Sequence, residues 1–211
     1  MKDRLRQDLT RLMGLPGLSG HEDRVRRAIA AELDRIGLAH RTDRLGNLIA
    51  TVAGDPASPS VMVFTHMDQL GFIVRKVEAD GLIRVERLGG VAERAMAAQA
   101  VLCCVGEGRD VPGVILNKAH HATTPDEKYR VLKTPEIVID TGHGSKATVE
   151  AAGIRIGTPV VYMPQVMPLA GDRIAGTSVD DRAGCAGQLE LARSLTDRES
   201  GPTVHLVWTV Q

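Results

Sequence analysis

Residues 61–68 read VMVFTHMD, an apolar and β-branched run that ends at His66, with Asp68 two positions further on. Such a run predicts a short strand that is buried on both faces. Open α/β sheets bind ligands beyond the carboxyl ends of their strands, and residues i and i+2 of an extended backbone point to the same side. His66 and Asp68 can therefore face one crevice, where an imidazole can bind a divalent metal while a carboxylate holds its second nitrogen. On spacing alone, ordinary loop residues are the commoner explanation, so the pair is a candidate site and no more.

The composition argues against several classes of protein. Lys and Arg together number 26, as do Asp and Glu, so no basic surface for nucleic acid is expected. No apolar run approaches the ~18 residues that suggest a membrane span, and the charged start of the chain is not followed by an apolar signal segment. The chain has three cysteines, two of them adjacent, which suits the reduced thiols of a cytoplasmic protein. We therefore expect a cytoplasmic protein without nucleic-acid or membrane partners.

The hydrophobic pattern changes twice along the chain. The N-terminal region carries leucines at helical spacing, and a second helix is predicted after Ser19 and Glu22, which have the spacing of a capping box. Short β-rich runs then follow at the spacing of a small closed barrel or sandwich. We predict a mixed α/β domain made of residues 1–70 and 166–211, with a β domain inserted at residues 71–165.

Other polar residues offer weaker candidates for a site. Four further histidines lie in loops, turns or a first helical turn, where a surface position is the simplest interpretation: His21, His120, His121 and His143. Asp180 and Asp181 open a predicted helix. Two acids at a helix N-terminus complement the helix dipole, so capping is the plain interpretation. The functional interpretation is that one carboxylate is presented to a metal.

Several motifs in the same order resemble the dinuclear-metal aminopeptidases of metallopeptidase family M forty-two. This group includes glutamyl and deblocking aminopeptidases and relatives labelled as endoglucanases. The motifs are GLSGHE at residues 17–22, THMDQLGF at residues 65–72, HATTP at residues 121–125, IDTG at residues 139–142, GTPV at residues 157–160 and VDDRAG at residues 179–184. The resemblance implies a zinc-peptidase-like mixed sheet flanked by helices, with an inserted small β-barrel that serves dimerisation.

The resemblance also assigns roles to individual residues. It makes His66 a ligand of one metal and Asp180 the carboxylate that bridges two metals, and it implies a cis peptide bond between Asp180 and Asp181. Asp68 becomes the catalytic-site residue that orients His66. Gln69 departs from the acidic residue common at that position in the family. The implied cofactors are two divalent ions, zinc or cobalt and possibly manganese. The implied partners are peptide substrates and further copies of the chain, in dimers that build a dodecamer.

In the family, the strand that resembles residues 203–210 is followed by two adjacent glutamates, one the general base and the other a metal ligand. This chain ends at Gln211, before either of them. We therefore expect a catalytic domain that is incomplete at its C-terminus and inactive as residues 1–211 alone. Two alternatives stay open. One is a non-catalytic truncated homologue that acts in assembly or dimerisation, and the other is a related metallohydrolase of acylated amino acids or carboxy-terminal peptide bonds.

Overall fold

A computed structural model describes residues 1–211 and divides them into two compact units, here called the first unit (Met1–Gln69 with Pro164–Gln211) and the barrel unit (Leu70–Met163). The prediction placed the inserted domain at residues 71–165. The helices are α1 (Lys2–Met13), α2 (Asp23–Arg35), α3 (Lys146–Ala151) and α4 (Val179–Leu195). The strands are β1 (His40–Thr42), β2 (Leu48–Val52), β3 (Val61–His66), β4 (Gly71–Val77), β5 (Ile83–Leu88), β6 (Ala100–Cys103), β7 (Val111–Ile115), β8 (Val138–Asp140), β9 (Pro159–Tyr162), β10 (Val166–Pro168), β11 (Ile174–Gly176) and β12 (Val204–Thr209).

The first unit contains a mixed sheet of four strands in the order β1-β2-β12-β3. Strand β12 is antiparallel to β2 and parallel to β3, with Trp208 opposite Thr65 and Thr209 opposite His66. Helix α4 packs against β3 and β12, and α1 and α2 pack against α4. Aliphatic side chains from the helices and the sheet form the core of this unit, among them Leu12, Val25, Ile29, Leu33, Leu189 and Leu206. The central strand β12 thereby places the end of β3 beside the start of α4.

Strand β3 is not buried on both faces, so that part of the sequence prediction is wrong. It is an edge strand of the sheet. Val61, Met62 and Phe64 are 44%, 64% and 69% exposed, whereas Thr65 faces α4 and contacts Cys185. An apolar run shows that a strand is hydrophobic, but it cannot show whether a second layer of structure covers both of its faces.

The barrel unit is a closed barrel of six strands in the order β4-β5-β8-β7-β6-β9, and β9 returns to pair with β4. Every pairing in it is antiparallel. Closure removes the open edges that a flat sheet would expose, so this short-stranded unit encloses its own core. That core includes Phe72, Val85, Ile139 and Val160, all buried. The predicted mixed α/β fold with a small β-barrel is therefore confirmed.

The helices follow their sequence signals with one exception. Ser145 caps α3 by accepting a hydrogen bond from the Thr148 backbone N–H, at 3.3 Å. The capping box predicted for α2 does not form, because α2 starts at Asp23 with Glu22 at its N-cap. Ser19 therefore lies outside the helix and is free to serve another part of the fold. None of the four helices combines the length and the apolar character needed to cross a bilayer.

Candidate metal centre

His66 is the last residue of β3 and is held there by the neighbouring strand. Thr209 of β12 lies opposite it in the parallel register, and the Met67 backbone N–H donates to the Thr209 carbonyl at 2.8 Å. The Met67 side chain is buried, which anchors the turn between His66 and Asp68. The His66 side chain is 42% exposed. A fixed backbone and an accessible ring are the features that a ligand-binding histidine at a strand end requires.

The two ring nitrogens of His66 each have a carboxylate partner. The Nδ1 atom lies 3.0 Å from Oδ1 of Asp68, and the Nε2 atom lies 3.0 Å from Oδ1 of Asp180. The three residues singled out from the sequence are thus brought together, although Asp180 is 114 positions away along the chain. A carboxylate on Nδ1 fixes the ring tautomer that leaves Nε2 as the outward-facing nitrogen.

The two aspartates at the start of α4, Asp180 and Asp181, make different contacts. The backbone at Asp180 and Asp181 is non-helical, and the peptide bond between them is cis, as the resemblance implied. Asp181 accepts a hydrogen bond from the Gly184 backbone N–H at 2.9 Å, so it is the residue that caps the helix. The Asp180 side chain is 93% exposed and faces His66. Capping therefore describes Asp181, and Asp180 is the carboxylate available to a ligand.

Asp68 has a second partner that the sequence did not reveal. The Ser19 hydroxyl donates to Oδ2 of Asp68 at 2.5 Å, while Oδ1 of the same carboxylate faces His66. The motif around Ser19 suggested a helix cap, and the structure places its hydroxyl on the candidate site. A local pattern could not indicate this contact, because the two residues are 49 positions apart.

A buried cation lies beside the site. Arg182 is fully buried, and its Nη2 atom donates to the Gln69 side-chain oxygen at 3.2 Å and to the Leu15 carbonyl at 3.3 Å. Burial lowers the pKa of the Arg182 guanidinium to about 10, against the opposing effect of negative charge that includes Asp68, so the group is a cation at neutral pH. Gln69, the residue that departs from the family pattern, is a neutral partner of this cation.

The four other histidines that the sequence offered as weaker candidates do not join the site. His21, His120 and His121 are exposed, and the Nδ1 atom of His143 lies 3.0 Å from the Thr141 hydroxyl. No group of three or more His, Cys, Asp or Glu side chains is arranged to hold a metal ion. The three cysteines are all unbridged, and Cys103 and Cys185 are buried. The described residues therefore offer two candidate ligands at one place, His66 and Asp180.

Comparisons with known proteins identify the family. The profile of the family described as M42 glutamyl aminopeptidase matches residues 46–211. The Escherichia coli (strain K12) protein SgcX is 34% identical over 208 residues, which are 98% of this chain and 56% of SgcX. The aminopeptidase from the archaeon Desulfurococcus kamchatkensis is 31% identical, with a TM-score of 0.89 over 100% of this chain and 56% of that one.

A third similar protein is one that forms large assemblies. The TET1 peptidase of Pyrococcus horikoshii, which assembles into a tetrahedron or a large octahedral shell, is 25% identical, with a TM-score of 0.88 over 98% of this chain and 61% of that one. The chain spans somewhat over half the length of the proteins it matches, 56% in the case of SgcX. By the extent of the profile match and the identity to its relatives, the chain belongs to the M42 glutamyl aminopeptidase family, as its motifs predicted.

Proposed function

We propose that this chain carries part of the active site of a metal-dependent aminopeptidase that removes N-terminal residues from peptides through a dinuclear metal centre. The observation that carries the proposal is the alignment of His66 between two carboxylates, Asp68 on Nδ1 and Asp180 on Nε2, each at 3.0 Å. His66 and Asp180 are the proposed metal ligands. The family to which the chain belongs is one of aminopeptidases, which supports the reaction class.

The donor set fits a divalent metal. A neutral imidazole nitrogen and a carboxylate oxygen suit zinc, cobalt and manganese alike. The Asp180 side chain is 93% exposed and makes no cap hydrogen bond, so its carboxylate is accessible to a ligand. When bound, a pair of divalent ions makes water a stronger nucleophile and polarises the scissile carbonyl. The residues present therefore agree with the cofactor that the family implies.

Each side chain of the site has a separate task in this proposal. Asp68 holds the proton on Nδ1 of His66, which leaves the lone pair of Nε2 for a metal that Asp180 would share. Asp181 accepts its hydrogen bond from the Gly184 backbone N–H, so its carboxylate is not a proposed metal ligand. The start of α4 thus supplies one ligand and one cap from two adjacent aspartates.

We extend the proposal to partners and location. By analogy with the Pyrococcus horikoshii TET1 peptidase, which assembles into a tetrahedron or a large octahedral shell, the protein would form a homo-oligomer. The family resemblance further suggests that the barrel unit serves dimerisation and that the substrates are peptides in the cytoplasm. The chain spans little more than half the length of its relatives. The activity of the whole protein and its substrates are therefore proposed here as well. No contact in the chain favours the non-catalytic alternative.

A metal titration tests the site. Isothermal titration of residues 1–211 with zinc and with cobalt would be compared with His66→Ala, Asp180→Ala and the control His143→Ala, which lies in the barrel unit. Catalytic zinc normally has three protein ligands, so a two-ligand site should bind one ion, weakly. Both site variants should abolish that binding, and the control should retain it.

The outcome that contradicts the assignment is binding that survives in both site variants. An assay with aminoacyl chromogenic substrates should run beside the titration. We expect only background hydrolysis from this two-ligand site. Two tight sites per chain with turnover above background would show that the ligands have been misassigned.

A further inference from the structure

The loop between α1 and α2, residues 14–22, is docked against the turn that carries Asp68. The Gln69 backbone N–H donates to the Gly17 carbonyl at 2.8 Å, and Leu18 forms an isolated parallel bridge with Gln69. Leu18 is 1% exposed. Backbone pairing and a buried side chain therefore fix this loop beside the candidate metal centre.

The Arg182 side chain also contacts this loop. Its guanidinium connects the Leu15 carbonyl to the Gln69 side chain. The approach is close, because a Cβ atom at Gly17 would lie 2.8 Å from Nη2 of Arg182 and 2.9 Å from a methyl group of Val25. Only glycine leaves room for the buried guanidinium there. The position of Ser19, two residues further on, follows from this packing.

Ser19 completes the set of contacts to the Asp68 carboxylate. Its hydroxyl lies 2.5 Å from Oδ2, while Oδ1 lies 3.0 Å from Nδ1 of His66. With one partner on each oxygen, the carboxylate cannot rotate about its Cβ–Cγ bond without losing a hydrogen bond. We propose that Ser19 is a positioning residue of the metal centre, which sets the Asp68 carboxylate so that His66 presents Nε2 towards Asp180. This inference rests on the proposed function.

A purely structural role for Ser19 makes a different prediction. If its hydroxyl only ties the loop to the turn, removing it would lower stability and leave the His66 ring unchanged. If it acts through Asp68, its removal would change the environment of the ring even where stability is retained. The ring is therefore the place to measure, and it can be observed with and without metal.

The experiment compares three variants of the 211-residue chain with the parent: Ser19→Ala, the conservative Ser19→Thr, and Ser194→Ala as a matched control. Ser194 is an exposed serine on α4 whose hydroxyl donates to the Leu191 carbonyl at 2.8 Å. Two quantities are measured for each variant, zinc affinity by calorimetry and, without metal, the ¹H–¹⁵N correlations of the His66 ring. Thermal unfolding by circular dichroism shows that each variant is folded.

We expect Ser19→Ala to weaken zinc binding about 10-fold, the lower end of the range for residues that orient a metal ligand. Its His66 ring signals should move relative to the parent. Ser19→Thr should restore both properties, and Ser194→Ala should alter neither. Parent-like zinc affinity together with unchanged ring signals in Ser19→Ala would overturn the inference.

The failures of the two proposals are distinguishable. If the parent chain binds no zinc, the proposed metal centre is refuted. The role of Ser19 in a metal centre is then refuted with it, and the ring spectra, recorded without metal, decide only whether Ser19 sets the His66 ring through Asp68: a shift in Ser19→Ala supports that contact, and identical spectra overturn it.

Discussion

Replacing one aromatic residue on each side of the first-unit sheet distinguishes its packed face from its open face. Trp208 on β12 is fully buried, and its indole N–H donates to the Cys185 carbonyl of α4 at 3.3 Å. Phe64 on the neighbouring β3 is 69% exposed. The register pairs Phe64 with Val207 and Trp208 with Thr65, so the two aromatic side chains point to opposite faces. We predict that Trp208→Phe destabilises the chain much more than Phe64→Ala.

The expected difference follows from burial and hydrogen bonding. Trp208→Phe removes the indole hydrogen bond to the Cys185 carbonyl, which costs about 0.5–1.5 kcal/mol because the carbonyl keeps its helical partner, and the smaller ring adds a cavity. Phe64 hides only about a third of its surface, because it is 69% exposed. Full burial of a phenylalanine contributes about 1.5–3 kcal/mol, so Phe64→Ala should cost about 0.5–1 kcal/mol.

Urea denaturation followed by far-ultraviolet circular dichroism measures both free energies of unfolding. Dichroism is the suitable probe, since Trp208 is the single tryptophan of the chain and its replacement removes indole fluorescence. The slopes of the transitions should agree between variants, so that midpoints report stability. A loss from Phe64→Ala equal to or larger than that from Trp208→Phe would refute the reasoning, because it would mean that the Phe64 face is packed.

Three further predictions concern the site, a buried ion pair and the thiols. Asp68→Asn should weaken zinc binding about 10–100-fold without lowering the thermal midpoint, and unchanged affinity in a calorimetric titration would remove Asp68 from the site. Arg193→Met removes a cation that is 8% exposed and pairs with Asp8 at 2.6 Å, while Arg11 still pairs with Asp8 at 3.2 Å. Urea unfolding should show a loss of about 1.5–3 kcal/mol, the range for a hydrogen bond to a charged group, and a loss below about 0.5 kcal/mol would contradict the pairing. Burial raises the pKa of Cys103 to about 12 and the pKa of Cys185 to about 11. Because the thiolate is the reactive form, neither cysteine should react with a disulfide reagent at pH 8 until urea unfolds the chain. Rapid modification of either thiol in the native protein would show that it is accessible.

The candidate site shows which parts of a site can be predicted locally. His66 and Asp68 are two positions apart at a strand end, and that spacing alone predicted that both could face one crevice. The sequence around Asp180 predicted a helix cap, and only the resemblance to the family predicted that it is a metal ligand. Ser19 was misassigned, because Ser-x-x-Glu describes a capping box equally well whether or not the serine has a distant partner. Its contact with Asp68 depends on the docking of a loop, which no local spacing encodes.

Local patterns in the amino-acid sequence were sufficient to predict the helices and strands themselves. The spacing of apolar residues predicted the helices of the first unit, and short β-rich runs predicted the barrel unit, because both depend on which side chains recur on one face of a regular backbone. Only the tertiary structure decided that β3 is an edge strand with Met62 and Phe64 exposed, since burial is set by the layer that covers a strand. It also decided that Asp180 faces His66 while Asp181 caps α4, because hydrogen bonds between distant residues exist only after the chain has folded.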